Sequence, residues 1–303
     1  MKNIYLNIYK ANKKNLQKAK KNIESNNIIG MPTETVYGLA GNAYSNQSVK
    51  KIFNLKKRPN FNPLIIHYKN IKNLKKDALL NSSFKKLYRN FCPGPITFVL
   101  KKKPKSKISY KATAKKNTIA VRFPKHKVAQ ELLGLLKVPL AAPSANISSR
   151  LSPTSSLDVV DEFKSKIKFI LDGGRSRIGL ESTIVDLTGS PKILRPGFIT
   201  EERISSVLRK KIKIVKKKGK IKSPGQLKSH YSPGIPLKIN SKIFKNDEAV
   251  IGFGKNFPRK KNHFNLSKNG NLNEAANNLY KTMRKIKNSG FKSIVVNKFP
   301  NTG

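Results

Sequence analysis

The sequence predicts an α/β protein: a mixed, twisted open sheet with helices packed on it, followed by a second, smaller α/β unit. Three observations predict it. Short β-branched and aliphatic runs alternate with amphipathic stretches of helical period along residues 1–209. The alternation keeps no strict strand–helix–strand beat, which points to mixed pairing. From Lys210 the character changes to charge runs and then to Pro and Gly punctuation, before a last strand–helix–strand pattern.

Each element has its own warrant. A first helix is expected over residues 15–25, where Leu16, Ala19 and Ile23 share a face. A strand near 27–32 runs into "GMPTETVYGL" (30–39), which is neither a helical face nor an alternating strand. It reads as a polar loop at a strand's end, where sites tend to sit. Ser45 suits the N-cap of a helix running to Lys57. Apolar runs predict strands at 63–68, 95–102, 118–123, 138–142, 167–172, 181–188 and 192–197, and helices read at 82–91, 126–137, 155–164 and 200–210. The stretch 210–235 lacks any amphipathic period and reads as a linker. Beyond it come a strand at 249–254, a helix at 272–288 and a strand at 293–299. The helix carries Leu272, Ala276, Leu279, Met283 and Ile286 on one stripe, with "NSG" closing it. Its short connection to the next strand implies a parallel unit. The expected partition is therefore 1–209, 210–235 and 236–303.

Composition narrows the class. An apolar content of 37% supports a core, and no run of about 18 apolar residues is present to span a membrane. The N-terminal stretch lacks a signal-like apolar segment, so a soluble cytoplasmic protein is expected. A single cysteine, Cys92, excludes an internal disulfide and a cysteine metal cluster, and the four histidines show no ligand spacing. The net charge of +49 comes from 53 Lys and 11 Arg. Such a field suits nucleic acid. The lysines are nevertheless spread along a chain also rich in Asn and Ile, so drift in composition is the favoured reading. A weak attraction to tRNA or double-stranded RNA follows as a by-product.

Four loops place polar side chains at the exit of an apolar strand: "MPTETVYG", "LKKRPNFNPLIIH", "AAPSANISSRLSPT", and "LESTIVD" with "LRPG" after it. Strand ends converge in open α/β sheets, so these loops can build one pocket. Arginine is scarce here, and Arg58, Arg122 and Arg195, with Lys56, suit an anionic ligand such as phosphate or carboxylate.

"PTETVYGL", "KKRPNFNPLIIH", "CPGPITFVL", "IAVRFP", "APSANIS", "ESTIVD" and "ILRPG" follow the order and spacing of the YrdC-like family. With "SPGQLKSHYSPGIPL" and the last strand–helix–strand unit, the chain resembles the family's two-domain threonylcarbamoyl-AMP synthases over residues 12–303. The resemblance implies a mixed sheet with a concave basic face, a linker acting as a lid, and a small Rossmann-like C-terminal domain. It implies synthesis of threonylcarbamoyl-AMP and pyrophosphate from L-threonine, bicarbonate and ATP, with Mg²⁺ arriving on the ATP. The product would pass to a tRNA-modifying threonylcarbamoyl transferase complex acting next to the anticodon.

The same resemblance implies site residues. Thr35, His67, Arg122, the Ala142 backbone and Ser182 correspond to L-threonine contacts, with Thr33 and Tyr37 shaping the first loop and Gly38 letting it turn tightly. Lys56 and Arg58 match the family's charge-neutralising "KxR". Arg58, Asn62, Thr118, Ser144, Asn146, Ser152, Arg195 and Tyr231 correspond to ATP contacts. No side chain stands out as a general base. The family's pattern also leads one to expect a closing helix after the last strand, which this sequence lacks.

Plainer roles exist for several of these residues. Lys56 and Arg58 close a helix, where cations favour the macrodipole. His67 fits a half-buried core position, Ser144 and Asn146 fit a turn, Tyr231 fits a linker anchor, and Asp172 and Cys92 need only be a turn residue and a small buried one. Two other functions compete with the synthase: a non-catalytic basic RNA-binding protein of the same fold, and a related carbamoyl-transfer domain with another acceptor. The low aromatic content and the absence of an RNA-stacking motif weigh against the first, and the unaltered threonine positions weigh against the second.

Overall fold

The computed structural model of the chain describes residues 6–215, 231–241 and 245–300. The N-terminal strands are β1 (Ile8–Lys10), β2 (Ile29–Met31), β3 (Gly38–Asn42), β4 (Ile65–His67), β5 (Ile96–Lys101) and β6 (Thr118–Arg122). They continue with β7 (Leu140–Ala141), β8 (Ile170–Asp172), β9 (Thr183–Asp186), β10 (Lys192–Arg195) and β11 (Lys213–Ile214). The helices among them are α1 (Lys13–Glu24), α2 (Asn46–Lys56), α3 (Ile71–Leu74), α4 (Ser82–Phe91), α5 (Lys127–Leu135), α6 (Ser156–Phe163) and α7 (Glu201–Leu208). The C-terminal unit holds β12 (Leu237–Ile239), β13 (Glu248–Gly252), β14 (His263–Asn265), α8 (Leu272–Asn288) and β15 (Ser293–Val296).

The first eleven strands form one mixed sheet in the order β1-β8-β2-β3-β7-β4-β6-β5-β9-β10-β11. Its two faces are covered separately. One carries the main core, with Val49, Ile52 and Phe53 of α2, Phe84 and Leu87 of α4, and Val159 and Val160 of α6. The other packs Leu16, Ala19 and Ile23 of α1 against Val128, Ala129 and Leu132 of α5. That arrangement is the expected mixed sheet between helices. Among the described residues no helix is long and apolar enough to cross a membrane.

Several short elements depart from expectation. β3 starts within the stretch expected to be loop, 30–39, and runs three residues past it where no strand was expected, because "GLAGN" offers two glycines and no β-branched residue. It pairs antiparallel with β2, Gly30 facing Leu39. Gly38 opens this strand outside the left-handed region, and the bend of the loop falls before it, at residues 34–36. β11 pairs parallel with β10, so the first residues of the expected linker join the sheet edge. Residues 216–230, most of that linker, lie outside the described residues.

The C-terminal unit is an all-parallel sheet, β12-β15-β13-β14, to which the sequence contributed no expectation of β12 or β14. Helix α8 buries Ala275, Tyr280, Met283 and Ile286. Leu272, Ala276 and Leu279 of the expected stripe are only half-buried, and the residues of α8 that bond the first domain are Asn277, Tyr280 and Arg284. Val36 and Leu151 of that domain belong to the same apolar cluster as Ile251 and Ile286, so the two units share a packed contact.

Candidate functional site

Register brings the central polar residues into a row. His67 at the end of β4 lies opposite Arg122 at the end of parallel β6, and Arg122 lies opposite Thr97 of β5. β5 in turn pairs with β9, which puts the Ser182 hydroxyl 2.7 Å from that of Thr97. The neighbouring strand β10 ends on Arg195, whose Nη2 donates to the Ser182 carbonyl at 2.8 Å and to its hydroxyl at 3.1 Å. Adjacent strands lie about 4.8 Å apart, so these side chains border one cleft.

Helix α2 brings in the cations. Ser45 caps it, its hydroxyl accepting from Ser48 N at 3.2 Å. Lys57 ends it in the left-handed region at φ 49, which turns the chain so that Arg58 leaves the helix at once. Arg58 folds back to donate through Nη2 to Asn62 Oδ1 at 2.6 Å and to the Pro63 carbonyl at 2.8 Å. Burial and the nearby Arg195 lower its pKa to about 9, which leaves it cationic at neutral pH. Lys56 takes another course. It is 1% exposed, and its Nζ donates to the carbonyls of Ser144, at 2.5 Å, and Asn146. Burial, then the Arg58 charge, lowers its pKa well below the usual lysine value. Lys56 thus pins the "SAN" turn from behind and does not line the cleft.

The cleft is bordered by Thr33, Val36, Gly38, Arg58, Ile65, His67, Arg122, Ala142, Pro143, Ser144, Glu181, Ser182 and Arg195. Seven residues expected from the sequence, Arg58, His67, Arg122, Ala142, Ser144, Ser182 and Arg195, therefore meet here. Thr35 stands behind the wall, fully buried, with its hydroxyl 2.9 Å from that of Thr33. Thr33 organises the loop by donating to the Val36 carbonyl at 2.6 Å. Asn62 and Asn146 are buried beside the cleft, and Asn62 Nδ2 and Asn146 Oδ1 each have no hydrogen-bond partner. Thr118 sits at the far end of β6, four residues from Arg122, or about 13 Å along the strand. Ser152 donates its hydroxyl to Glu181, and Tyr231 makes side-chain hydrogen bonds to Glu181 and Arg195.

Two features depart from the simplest expectation. Arg122 is not free to offer its whole guanidinium to a ligand, because Nη2 donates to Glu34 Oε1 at 2.8 Å in a buried ion pair. Its remaining N–H groups are what it can present, and Nε is buried without a partner. His67 is 2% exposed with Nδ1 unpaired, and burial and the Arg122 charge lower its pKa to about 3. It is a neutral imidazole at neutral pH. Of the buried polar atoms that have no partner within the protein, Asn62 Nδ2, His67 Nδ1, Arg122 Nε and Asn146 Oδ1 lie in or beside the cleft, where a polar ligand can bond them. Asp172 and Cys92 take no part: the Asp172 carboxylate accepts from Ser156 and Tyr37, and Cys92 is a partly buried free thiol.

Sequence reasoning missed Glu34 and Glu181. Their signal was scarcity: in a chain with only 15 acidic residues, two glutamates inside site motifs are informative.

The comparisons with known proteins agree with one another over most of the chain. A family model for Sua5, YciO and YrdC proteins, described as "Telomere recombination", matches residues 21–197, and one described as the threonylcarbamoyl-AMP synthase C-terminal domain matches residues 199–303. The threonylcarbamoyl-AMP synthase of Pyrococcus abyssi is 38% identical over 88% of this chain and 84% of its own length. That of Bacillus subtilis is 40% identical over 72% of this chain and 64% of its own length. The crystal structure of Pyrococcus abyssi Sua5 complexed with L-threonine superposes with a TM-score of 0.90 at 33% identity, covering 98% of this chain and 93% of that one. Escherichia coli YciO, at 20% identity and a TM-score of 0.59 over 65% of this chain and 98% of its own, shares the fold of the first domain. The chain belongs to the Sua5/YciO/YrdC family, in its two-domain threonylcarbamoyl-AMP synthase form.

Proposed function

We propose that the protein is an L-threonylcarbamoyladenylate synthase, a nucleotidyltransferase that makes threonylcarbamoyl-AMP and pyrophosphate from L-threonine, bicarbonate and ATP. The observation that carries this reading is the cleft itself. Three arginines, a neutral histidine and two serines, Ser144 and Ser182, converge at adjoining strand ends, with buried polar atoms left to be bonded. Cations together with hydrogen-bonding groups suit a zwitterionic amino acid beside a polyphosphate.

In this reading L-threonine lies against the Thr33–Thr35 loop, His67, Arg122, Ala142 and Ser182. Arg122 meets its carboxylate with the N–H groups that Glu34 leaves available. ATP extends from Arg58 and Asn62 past Ser144, Asn146, Ser152 and Arg195, with Thr118 and Tyr231 as outer contacts. The threonine amine takes up bicarbonate to form a carbamate with loss of water. A carbamate oxygen then attacks the α-phosphorus, and pyrophosphate leaves. Arg58 and Arg195 counter the charge that develops at the phosphates, and holding three reactants together supplies much of the acceleration. Lys56 acts by fixing the Ser144–Asn146 turn.

Magnesium enters as part of the Mg·ATP substrate, where it neutralises phosphate charge. The cleft suits that arrangement, since its borders are cationic and its one carboxylate, Glu181, has both oxygens bonded within the protein. The adenylate is an activated acyl donor and passes to a threonylcarbamoyl transferase complex that modifies tRNA, in the cytoplasm.

The test is to incubate the purified chain with L-threonine, bicarbonate and Mg·ATP and follow pyrophosphate and the adenylate by mass spectrometry. Threonine-dependent formation of both supports the reading. A folded chain that binds ATP and releases no pyrophosphate refutes it.

A further inference from the structure

Glu181 lies between the cleft and the second domain. It is 8% exposed, and the two carboxylate oxygens point to different partners. Oε1 accepts from the Ser152 hydroxyl, and Oε2 accepts from the Tyr280 hydroxyl at 2.8 Å. Tyr280 is 3% exposed and stands on α8, 99 residues along the chain. Its ring stacks on that of Tyr231, centroids 5.7 Å apart, and Tyr231 itself bonds Glu181 and Arg195.

The consequence follows from hydrogen-bond accounting. Losing a donor to a buried carboxylate is expensive, so the Tyr280 phenol, as the donor to Oε2, helps fix the orientation of Glu181 together with Ser152 and Tyr231. Glu181 then fixes the Ser152 hydroxyl and the Tyr231 phenol, and the next residue, Ser182, holds the Arg195 guanidinium. Ser152, Arg195 and Tyr231 are all on the nucleotide side of the proposed site. We infer that Tyr280 is a positioning residue for the nucleotide subsite, so that the C-terminal domain completes that subsite through one phenol. The inference rests on the assignment of those three residues to ATP in the function proposed above.

A plainer role for Tyr280 is to glue the domains together, as Asn277 does one turn away by donating to the carbonyls of Ser176 and Arg177 at 2.9 and 2.7 Å. The two roles separate in a binding experiment on the full chain. Calorimetric titrations with Mg·ATP and, separately, with L-threonine compare the wild type with Tyr280→Phe, Glu181→Gln and Asn277→Ala, beside thermal melts of each. A positioning role predicts that Tyr280→Phe weakens Mg·ATP by at least about fivefold, the effect of one buried hydrogen bond, and leaves L-threonine within about twofold. Glu181→Gln, which reaches the same link from the other end, shows the same selective loss, and the double variant loses little more than either single one. Asn277→Ala lowers the melting temperature and leaves Mg·ATP affinity unchanged. The inference is overturned if Tyr280→Phe binds Mg·ATP like the wild type, if Asn277→Ala loses as much, or if the two losses multiply in the double variant. Because the readout is binding, a wild type that binds Mg·ATP and makes no adenylate refutes the proposed reaction while this test stands. A wild type that binds no Mg·ATP overturns both.

Discussion

Lys56 and Arg58 are two residues apart and do different work. The Lys56 ammonium is enclosed and holds two carbonyls of the "SAN" turn, while Arg58 borders the cleft. Replacing Lys56 by Met leaves both carbonyls without their donor, so the expected loss is about 1–3 kcal/mol of stability, read as a lower denaturant midpoint, with weaker nucleotide binding following from the slack turn. Arg58→Ala also leaves buried acceptors, Asn62 Oδ1 and the Pro63 carbonyl, without a donor, so it costs stability too. Its distinguishing effect is a fall in threonine-dependent pyrophosphate release by about two orders of magnitude or more, the scale of losing one preorganised charge at a developing anion. Equal losses of pyrophosphate release per folded molecule in the two variants would contradict this division. His67 carries a second prediction at this scale. Its pKa falls from 6.5 to about 3 on folding, through burial and then the Arg122 charge. The folded state therefore binds fewer protons than the unfolded chain between those values. The contribution of the neutral imidazole is complete above about pH 6.5 and is lost as pH falls toward 3. Within that window the wild type should lose stability more steeply than His67→Gln, by up to about 1.4 kcal/mol per pH unit, in denaturant melts of both chains at matched pH. Parallel slopes for the two proteins would show that the imidazole titrates as in the unfolded chain.

Between elements, the tightest approach near the site is at Gly197, just after β10. A Cβ there would meet Thr183 N at 2.5 Å and the Glu181 carbonyl at 2.6 Å, backbone atoms that cannot swing aside. Gly197→Ala should therefore push β9 and its preceding residues out of place, costing about 1–3 kcal/mol and weakening both ligands at once, in contrast to the selective effect expected at Tyr280. The elements also show what was legible in the chain. Helices α2 and α8 were readable to within a residue because their signals are local: Ser45 caps α2 by accepting a backbone N–H at the third helical position, and an apolar stripe closed by "NSG" marks α8. β3 was not readable, because its glycines form a strand only by virtue of β2 and β7 on either side. β12 and β14 were missed for the same reason, each being a three-residue strand that the neighbouring β15 or β13 makes ordered. Of the site, the motif residues were legible and their division of labour was not. Thr33 rather than Thr35 borders the cleft, and Lys56 faces away from it. The partners Glu34 and Tyr280 lie 88 and 99 residues from the groups they hold, a separation no local pattern encodes.

At the scale of the whole molecule the question is what a net charge of +49 does. Among the described residues the only buried cations are Lys56, Arg122 and Arg195, all in or beside the cleft. The other described lysines are at least partly exposed, point charges on flexible stems rather than a shaped surface. A field of such charges attracts RNA through phosphate contacts and counterion release, with no means of reading sequence. Binding of a labelled tRNA should therefore fall steeply with salt, by about a thousandfold or more between 50 and 200 mM if six or more phosphates are engaged, and an unrelated duplex should compete equally well. L-threonine affinity should change little over the same range, because the groups proposed to hold it are buried and poorly screened. The two measurements on one preparation separate the outer field from the enclosed site. Salt-resistant binding that discriminates among tRNAs would instead mean that part of this surface is built to recognise RNA, and would give the lysines a function beyond the composition of the chain.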